Sequence, residues 1–344
     1  MVRPIAFYLP QFHPIPENDA WWGKGFTEWT NTANAKPLFD GHYQPHVPAD
    51  LGYYDLRTPE ARAAQADLAR RYGIEGFCYY HYWFGEGRRL LERPFDEVLA
   101  SGEPDFPFCL CWANQSWAGH WFGADGRTLI EQVYGGEAEM AVHFAWLLQA
   151  FRDPRYIRVN GRPVMLVFSV AGLPDAPGLC RVWRGLAQAA GLPGLHLLAV
   201  RHSLGRRDPH AAGFDGAVDM SLPLTGHNRV ELNQGVRTFD YGRWGDHDNP
   251  PAQPGVVQYP CVGPGWDNTP RLGRDGLVYV NYSPQMFRAK VRRAAGQLAD
   301  RPPQDRLLFV KAWNEWAEGN HLEPDLRYGH AWLEALRDGV SDRS

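Results

Sequence analysis

The sequence has few cysteines, no long apolar run and no excess of basic residues, and each absence argues against one class of protein. The five cysteines are an odd number and form no CxxC pair, so neither a disulfide scaffold nor a zinc knuckle is expected. No apolar run reaches the roughly 18 residues of a membrane-spanning helix. A formal net charge of -4 leaves no basic surface for nucleic acid. We therefore expect neither a membrane span nor a nucleic-acid partner.

Sequence motifs for cofactors and activated nucleophiles are also missing. No GxGxxG or GxxxxGK[ST] follows a predicted strand, which argues against a bound nucleotide. The histidines show no HExxH or similar metal-ligand spacing, and no Ser or Cys lies in a GxSxG context. We therefore predict a protein that works without a metal or a cofactor.

The N-terminus carries no recognisable secretion signal. Residues 1–4 lead into a short apolar run that ends before Gln11, and this run is too short for the apolar region of a signal peptide. We expect a cytoplasmic protein, unless a leader has been removed or the chain belongs to a longer one.

Apolar runs of strand length alternate with helical patterns along the 344 residues, which indicates parallel βαβ units. The predicted strands are Ile5–Leu9, Gly76–Tyr80, Phe108–Trp112, Val164–Ser169, Leu195–Val200, Phe214–Met220, Val278–Val280 and a last one from Leu307. Eight such strands predict an α/β fold, a single (β/α)8 TIM-like barrel over residues 1–344 with long loops at its C-terminal face. An open doubly wound sheet is the alternative. Residues 222–259 are the least periodic and are interpreted as a long loop insertion.

Polar and aromatic residues collect after the predicted strands, where a barrel places its active site. The chain contains 14 Trp, 15 Tyr and 17 Phe, many of them beside polar residues. Sugars suit such a site, because their C–H faces lie on aromatic rings while their hydroxyls need hydrogen-bond partners. We predict substrate-binding roles for His13, Trp22, Glu28, Trp29, His81, Trp83, Asn114, Gln115, Trp117, Asn314, Trp316 and Glu323.

Glu315 and Glu318 follow the last strand and are the predicted catalytic pair. Their spacing of three places both carboxylates on one face of a turn or helix. Two carboxyl groups held close together split their pKa values and leave one acid and one base, the equipment for breaking a glycosidic bond. The competing interpretation is an acidic helix N-terminus stabilised by the helix dipole. For Glu28 and Glu323, contact with substrate and a purely structural role both remain open.

The sequence resembles WbsX-type proteins, which are similar to glycoside hydrolase family 99 and are often encoded with bacterial surface-polysaccharide genes. The motifs that carry the resemblance span nearly the whole chain: YLPQFHP (8–14), WGKGFTEW (22–29), GFCYYHYWF (76–84), CWAN (111–114) and WNEWAEG (313–319). The last motif also resembles the catalytic Glu-Trp-His-Glu-Gly segment of the family 99 endo-mannosidases, which are (β/α)8 barrels.

The resemblance implies a retaining glycoside hydrolase acting on α-mannosidic or α-rhamnosidic bonds of a bacterial surface polysaccharide such as an O-antigen. Glu318 would protonate the leaving oxygen. Glu315 would take the proton of the sugar 2-hydroxyl and give a 1,2-anhydro sugar. A glycosyltransferase of O-antigen or capsule biosynthesis and a catalytically weak carbohydrate-binding protein are the alternatives.

Two departures from the family patterns affect the predicted site. Ala317 stands where the family 99 segment has His. Residues 115–119 read Gln-Ser-Trp-Ala-Gly where the WbsX pattern has Glu-Asn-Trp-Thr-Arg, so that Gln115 keeps a hydrogen-bonding amide but removes a charge. These departures motivate the carbohydrate-binding alternative.

Overall fold

The computed structural model describes residues 1–119, 126–200, 208–220, 231–243 and 257–341. Much of the predicted loop insertion at 222–259 lies outside these residues, as do the last three residues of the chain. Among the residues described, no helix is both long and apolar enough to cross a bilayer.

Eight parallel strands close into a barrel, as predicted. They are β1 (Arg3–Tyr8), β2 (Gly76–Trp83), β3 (Phe108–Trp112), β4 (Arg162–Val167), β5 (His196–Val200), β6 (Gly216–Asp219), β7 (Gln258–Val262) and β8 (Leu307–Val310). Each strand pairs in parallel with the next, and β1 pairs with both β2 and β8. This closure leaves no open edge in the sheet and excludes the doubly wound alternative.

The longer helices cover the outer surface of the barrel, and shorter ones lie in its connecting loops. They are α1 (Pro16–Trp22), α2 (Glu28–Asn34), α3 (Pro59–Arg71), α4 (Arg93–Ser101), α5 (Gly136–Arg152), α6 (Ala176–Ala189), α7 (Thr269–Leu272), α8 (Pro284–Gly296) and α9 (Ala331–Ser341). The start of α3 follows the sequence signal, with Thr58 at the N-cap and Pro59 at the first helical position. Strands buried on both faces form the core, which explains their continuous apolar runs.

The seventh barrel strand is Gln258–Val262, so the predicted assignment of Val278–Val280 to that position is wrong. The true strand contains Pro260, a residue that weakens a strand pattern because it cannot donate to the ladder. Leu277–Val280 is indeed a strand, but it pairs with Val236–Asp240, which in turn pairs with Glu231–Asn233. These three short strands form a small separate sheet, part of which lies within the predicted loop insertion.

Other short strands lie in the segments that connect the barrel elements. They are Arg89–Leu90, Trp117–Ala118, Thr128–Ile130, Arg158–Val159, Asn314–Glu315 and Asn320–His321. The last two pair antiparallel directly after β8 and form the hairpin that carries the predicted catalytic glutamates.

Two asparagines join neighbouring strands just past their C-terminal ends. Asn114 donates to the Ser169 carbonyl (2.8 Å) and accepts from the Ser169 amide (2.7 Å), which ties the end of β3 to the end of β4. Asn314 makes the same paired contact with Leu9, at 3.0 and 2.7 Å, and ties β8 to β1. Each side chain satisfies backbone groups that the barrel leaves without a ladder partner.

Replacing Asn114 with Ala should destabilise the fold by about 2–4 kcal/mol, because a buried amide and a buried carbonyl lose their partner. Urea unfolding monitored by tryptophan fluorescence measures the loss as a lower midpoint. Asn34→Ala, at an exposed helix end, is the control and should change the free energy of unfolding by less than about 0.5 kcal/mol. A loss in Asn114→Ala no larger than in this control would contradict the proposed joining role.

Candidate active site

The hairpin after β8 presents Glu315 and Glu318 side by side. Glu315 lies on its first strand, and Trp316–Glu318 form a tight 3-10 turn that ends at Gly319. Gly319 has a φ of 56°, and an added Cβ would lie 2.8 Å from the Asp267 Cβ. Glycine is therefore required for the turn to pack against the segment after β7.

The two glutamates line a cavity of about 160 Å³ at the C-terminal mouth of the barrel. Its walls combine aromatic rings, amides and charged groups. The lining residues are Leu9, Gln11, Tyr80, Tyr82, Ala113, Gln115, Ser116, Trp117, Phe168, Arg271, Lys311, Glu315 and Glu318. Stacking surfaces beside convergent polar groups are the general make-up of a small-molecule site.

Arg271 and Lys311 hold the carboxylates in place. Arg271 donates to Glu318 at 2.5 Å and to Glu315 at 3.2 Å. The Lys311 ammonium lies 2.9 Å from Glu318 and 3.5 Å from Glu315. The third Arg271 contact is with Glu28, whose side chain is fully buried, at 2.8 Å. One guanidinium therefore connects three glutamates from two segments of the chain.

Asp267 sets the position of Arg271. Its carboxylate accepts from the amide of Thr269 at 2.9 Å, at the start of α7, and from His42 and Gln44 at 2.7 Å each. The Asp267 amide also donates to the Glu318 carbonyl at 2.6 Å. The short helix with Arg271 and the turn with Glu318 are thus fixed against each other.

The surroundings shift the two glutamate pKa values in opposite directions. Burial, reinforced by repulsion from Glu318, raises the pKa of Glu315 above its ordinary value. Burial acts in the same direction on Glu318, but the charges of Lys311 and Arg271 outweigh it and lower the pKa of that carboxyl. Of the two carboxyl groups, Glu315 therefore keeps its proton to higher pH than Glu318 does.

Of the predicted site residues, Glu315, Glu318, Gln115 and Trp117 meet at this cavity. Glu28 does not line it but reaches the site through Arg271. Among the predicted residues, the structure thus brings together those after β3 and β8, and it connects Glu28 of the first loop to them indirectly.

A buried network behind the hairpin holds several other predicted residues. Glu323 is fully buried and accepts from Trp316 Nε1 at 2.6 Å, Gln65 Nε2 at 2.7 Å and the Tyr54 hydroxyl at 2.8 Å. Burial raises its pKa to about 7. Trp29 donates its indole N–H to the Tyr54 carbonyl. These contacts make Glu323, Trp29 and Trp316 supports of the hairpin that lie away from the cavity surface.

The remaining predicted residues also lie away from the cavity. Asn114 and Asn314 join strands, as described above. His81 is buried, lies 2.9 Å from His143 and stacks on Trp146. Trp83 donates to Glu139 at 2.8 Å and borders a separate, largely apolar cavity of about 220 Å³. His13 is buried, and Trp22 packs near Phe26.

Sequence reasoning missed Arg271 and Lys311. Lys311 directly follows the apolar run of β8, and a lysine at the end of a barrel strand was the available signal. Arg271 lies in a Pro- and Gly-rich stretch that follows β7, a strand that the sequence did not predict. The cavity also contains three aromatic side chains that were not among the predicted site residues: Tyr80, Tyr82 and Phe168. They lie near the C-terminal ends of β2 and β4, which form the mouth of the barrel.

Two solved structures share the fold of this barrel. A glycoside hydrolase-like protein matches with a TM-score of 0.60 and 13% identity, over 99% of this chain and 94% of its own. The GH99 endo-alpha-mannosidase of Bacteroides thetaiotaomicron, in complex with bis-tris-propane, matches with a TM-score of 0.58 and 14% identity, over 98% and 96%. The fold is therefore that of the glycoside hydrolase-like (β/α)8 barrels.

The chain belongs to the WbsX family. The family described as glycosyltransferase WbsX matches residues 4–336, which confirms the resemblance. The uncharacterized protein WxcX of Xanthomonas campestris pv. campestris strain B100 is 44% identical over 98% of this chain and 49% of its own length. The protein of the same name from strain ATCC 33913 matches to the same extent. The chain thus spans about half the length of these relatives.

Replacing Arg271 with Gln should destabilise the protein by about 3–5 kcal/mol at pH 7, because buried carboxylates lose a cation. The lowered pKa of Glu318 contributes stability above its unfolded value near 4.5, and this contribution is lost as the pH falls through the folded pKa. The deficit of the variant should therefore shrink below about pH 4.5. Denaturant unfolding at pH 7 and pH 4 measures both values.

Arg181→Gln is the control for this comparison. Arg181 pairs with Glu137 at 3.5 Å on the surface, and the pair should contribute less than about 1 kcal/mol at either pH. A deficit in Arg271→Gln that stays constant between the two pH values would show that its carboxylate contacts do not govern stability.

Proposed function

We propose that this protein is a retaining glycoside hydrolase that cleaves α-mannosidic or α-rhamnosidic bonds in a bacterial surface polysaccharide. The observation that carries the proposal is the pair Glu315 and Glu318, with pKa values shifted apart, on one wall of a cavity at the barrel mouth. General acid–base cleavage of a glycosidic bond needs one protonated and one ionised carboxyl group.

The cavity walls support a carbohydrate substrate. Tyr80, Tyr82 and Trp117 offer aromatic surface for the C–H face of a sugar ring, and Gln11 and Gln115 offer amides for its hydroxyls. The GH99 relative is named as an endo-alpha-mannosidase, which supports an α-linked substrate of the mannose type. The rhamnose-type alternative follows from the polysaccharide association that the WbsX resemblance implies.

The resemblance suggests a two-step reaction. Glu318 gives a proton to the leaving oxygen while Glu315 takes the proton of the 2-hydroxyl, and O2 closes onto C1 to form a 1,2-anhydro sugar. Water then opens this ring at C1: Glu318, now ionised, takes a proton from the water while Glu315 returns its proton to O2. The two inversions give net retention. In this scheme Lys311 and Arg271 offset the negative charge of the pair and hold its carboxylates in place.

The charges around the pair favour the opposite assignment of acid and base. Glu318 lies against two cations, which lower its pKa, whereas burial and repulsion from Glu318 raise the pKa of Glu315. For Glu318 to act as the acid, substrate binding must weaken its contact with Arg271 or Lys311. Without that change, Glu315 is the donor and Glu318 the base.

Glu315→Gln and Glu318→Gln should each reduce hydrolysis of a matching oligosaccharide by at least about 100-fold. A donor is dispensable when the leaving group is already a good one, so the donor variant should keep activity on a dinitrophenyl glycoside. Initial rates on both substrates identify which residue is the donor. NMR of the first-formed anomer tests retention.

Glu323→Gln is the control for folding of the hairpin, since Glu323 lies behind it and not at the cavity. Full activity in both cavity variants would overturn the proposed pair. Sugar binding by the wild type without turnover would instead support the carbohydrate-binding alternative.

Activity should follow a bell-shaped pH profile bounded by the lowered pKa of Glu318 and the raised pKa of Glu315. Lys311→Met removes a charge that holds the pKa of Glu318 down, so the acidic limb should move to higher pH. The pH dependence of kcat/KM measures this shift. Lys36→Met, at an exposed lysine, should leave the profile unchanged, and an unmoved acidic limb in Lys311→Met would exclude the proposed charge coupling.

A glycosyltransferase of polysaccharide assembly is the second candidate, because the family itself is described as glycosyltransferase WbsX. Such an enzyme binds an activated sugar donor. A thermal-shift screen with nucleotide sugars separates the two candidates: stabilisation by one of them, with transfer to an acceptor sugar and no hydrolysis, would favour the transferase.

A further inference from the structure

A second group of polar side chains lies behind the hairpin and plays no part in the proposed reaction. His46, on the first loop, His321, on the second hairpin strand, and Asp325 each offer one ligand atom, and these atoms lie within 4.8 Å of one another. All three side chains are buried. We call these residues the two-histidine cluster.

Hydrogen bonds fix the tautomers of the two imidazoles. His321 Nδ1 donates to the Glu323 carbonyl at 2.9 Å, so its Nε2 carries a lone pair. That Nε2 lies 2.8 Å from His46 Nδ1, which must then be the donor. The remaining nitrogen, His46 Nε2, is buried and has no hydrogen-bond partner among the residues described. The two nitrogens that face each other, His46 Nδ1 and His321 Nε2, are therefore the pair that can share a cation.

The side chains around the cluster hold it in the arrangement that metal ligands use. The Glu323 carbonyl orients His321, as a second-shell acceptor orients a ligating imidazole. Asp325 Oδ1 accepts from the backbone amides of Arg327 and Tyr328, and Asp325 Oδ2 lies 3.9 Å from His321 Nε2. His321 stacks on Trp316 and His46 on Tyr43, so both rings have a fixed direction.

We propose that His46, His321 and Asp325 bind a divalent transition-metal cation of the zinc class. Two imidazole nitrogens and one carboxylate oxygen are a donor set that suits Zn²⁺ and leaves a fourth position for water, whereas Mg²⁺ and Ca²⁺ prefer all-oxygen sites. A cavity of about 10 Å³ borders all three residues and has about the room of one water-sized sphere.

Small side-chain movements complete the site. Tetrahedral zinc separates neighbouring donors by about 3.3 Å. The two nitrogens must therefore part by about 0.5 Å and the carboxylate oxygen must approach by about 0.6 Å. The His46 proton moves from Nδ1 to Nε2, and both rings stay neutral.

The position of the two-histidine cluster suggests what a bound metal would do. His321 pairs with Asn314 in the hairpin, next to the register pair of Glu315 and Asn320. A metal at the cluster would therefore link the first loop to the strand beside Glu315. Its role would be structural, because it lies behind the hairpin and its residues do not line the cavity with Glu318.

A cobalt titration of the full chain tests this site. The protein, with any affinity tag removed, is dialysed against a chelator and titrated with Co²⁺. We expect a visible d–d absorption band that saturates at one equivalent and disappears when Zn²⁺ is added. Zn²⁺ at about 100 times its dissociation constant should also raise the unfolding temperature by about 3–6 °C.

His46→Gln and Asp325→Asn should each weaken Co²⁺ binding by at least about tenfold. His330→Gln is the matched control, because His330 contacts Tyr72 and Asp50 outside the cluster and its loss should leave the band unchanged. The proposal is overturned if the wild type gives no saturable band, or if the band survives unaltered in both cluster variants. Should those variants fail to fold, the wild-type titration decides alone. None of these measurements depends on hydrolase activity.

Discussion

Arg271 and Lys311 balance the charges of Glu28, Glu315 and Glu318, and the geometry of the candidate site depends on that balance. Three carboxylates cannot be buried close together unless cations offset their repulsion and their loss of water. Arg271 suits this task because its planar fork offers several donors in fixed directions. It reaches Glu28 on the first loop and two glutamates on the hairpin after β8. The same contacts lower the pKa of Glu318, whereas burial and repulsion from Glu318 raise the pKa of Glu315, so the surroundings of the pair set both its position and its acid–base character.

The structure divides the many aromatic residues between support and cavity. Trp29, Trp316 and Tyr54 pack behind the hairpin that carries Glu315 and fix its direction, although the positions of Trp29 and Trp316 after strands had suggested contact with substrate. Tyr80, Tyr82 and Trp117 line the cavity instead. The division has a physical reason. The hairpin carries buried charged groups, so the residues packed behind it must hold it in a fixed position. Glu323 and its three hydrogen bonds provide the polar part of that backing.

The chain has the fold of glycoside hydrolase-like barrels but belongs to a family described as glycosyltransferases. Both activities make or break a bond to the anomeric carbon of a sugar. A transferase differs from a hydrolase in having a site for an activated sugar donor. The barrel fold is compatible with either activity. The longer WxcX relatives carry about as much chain again beyond the matched part, so the activity of a whole relative can involve more than this barrel.

The sequence by itself determined the barrel, seven of its eight strands and the glutamate pair, because apolar runs and a dense polar motif are local signals. The seventh strand was not predicted because it contains Pro260, and a proline weakens the pattern of a strand even where the surrounding sheet accommodates it. Only the tertiary structure decided which acids face the cavity and which are buried behind it. Arg271 lies 44 residues before Glu315 and 243 after Glu28, and no local pattern relates such positions. Their contact exists because closing the barrel brings the loops after β1, β7 and β8 to one mouth.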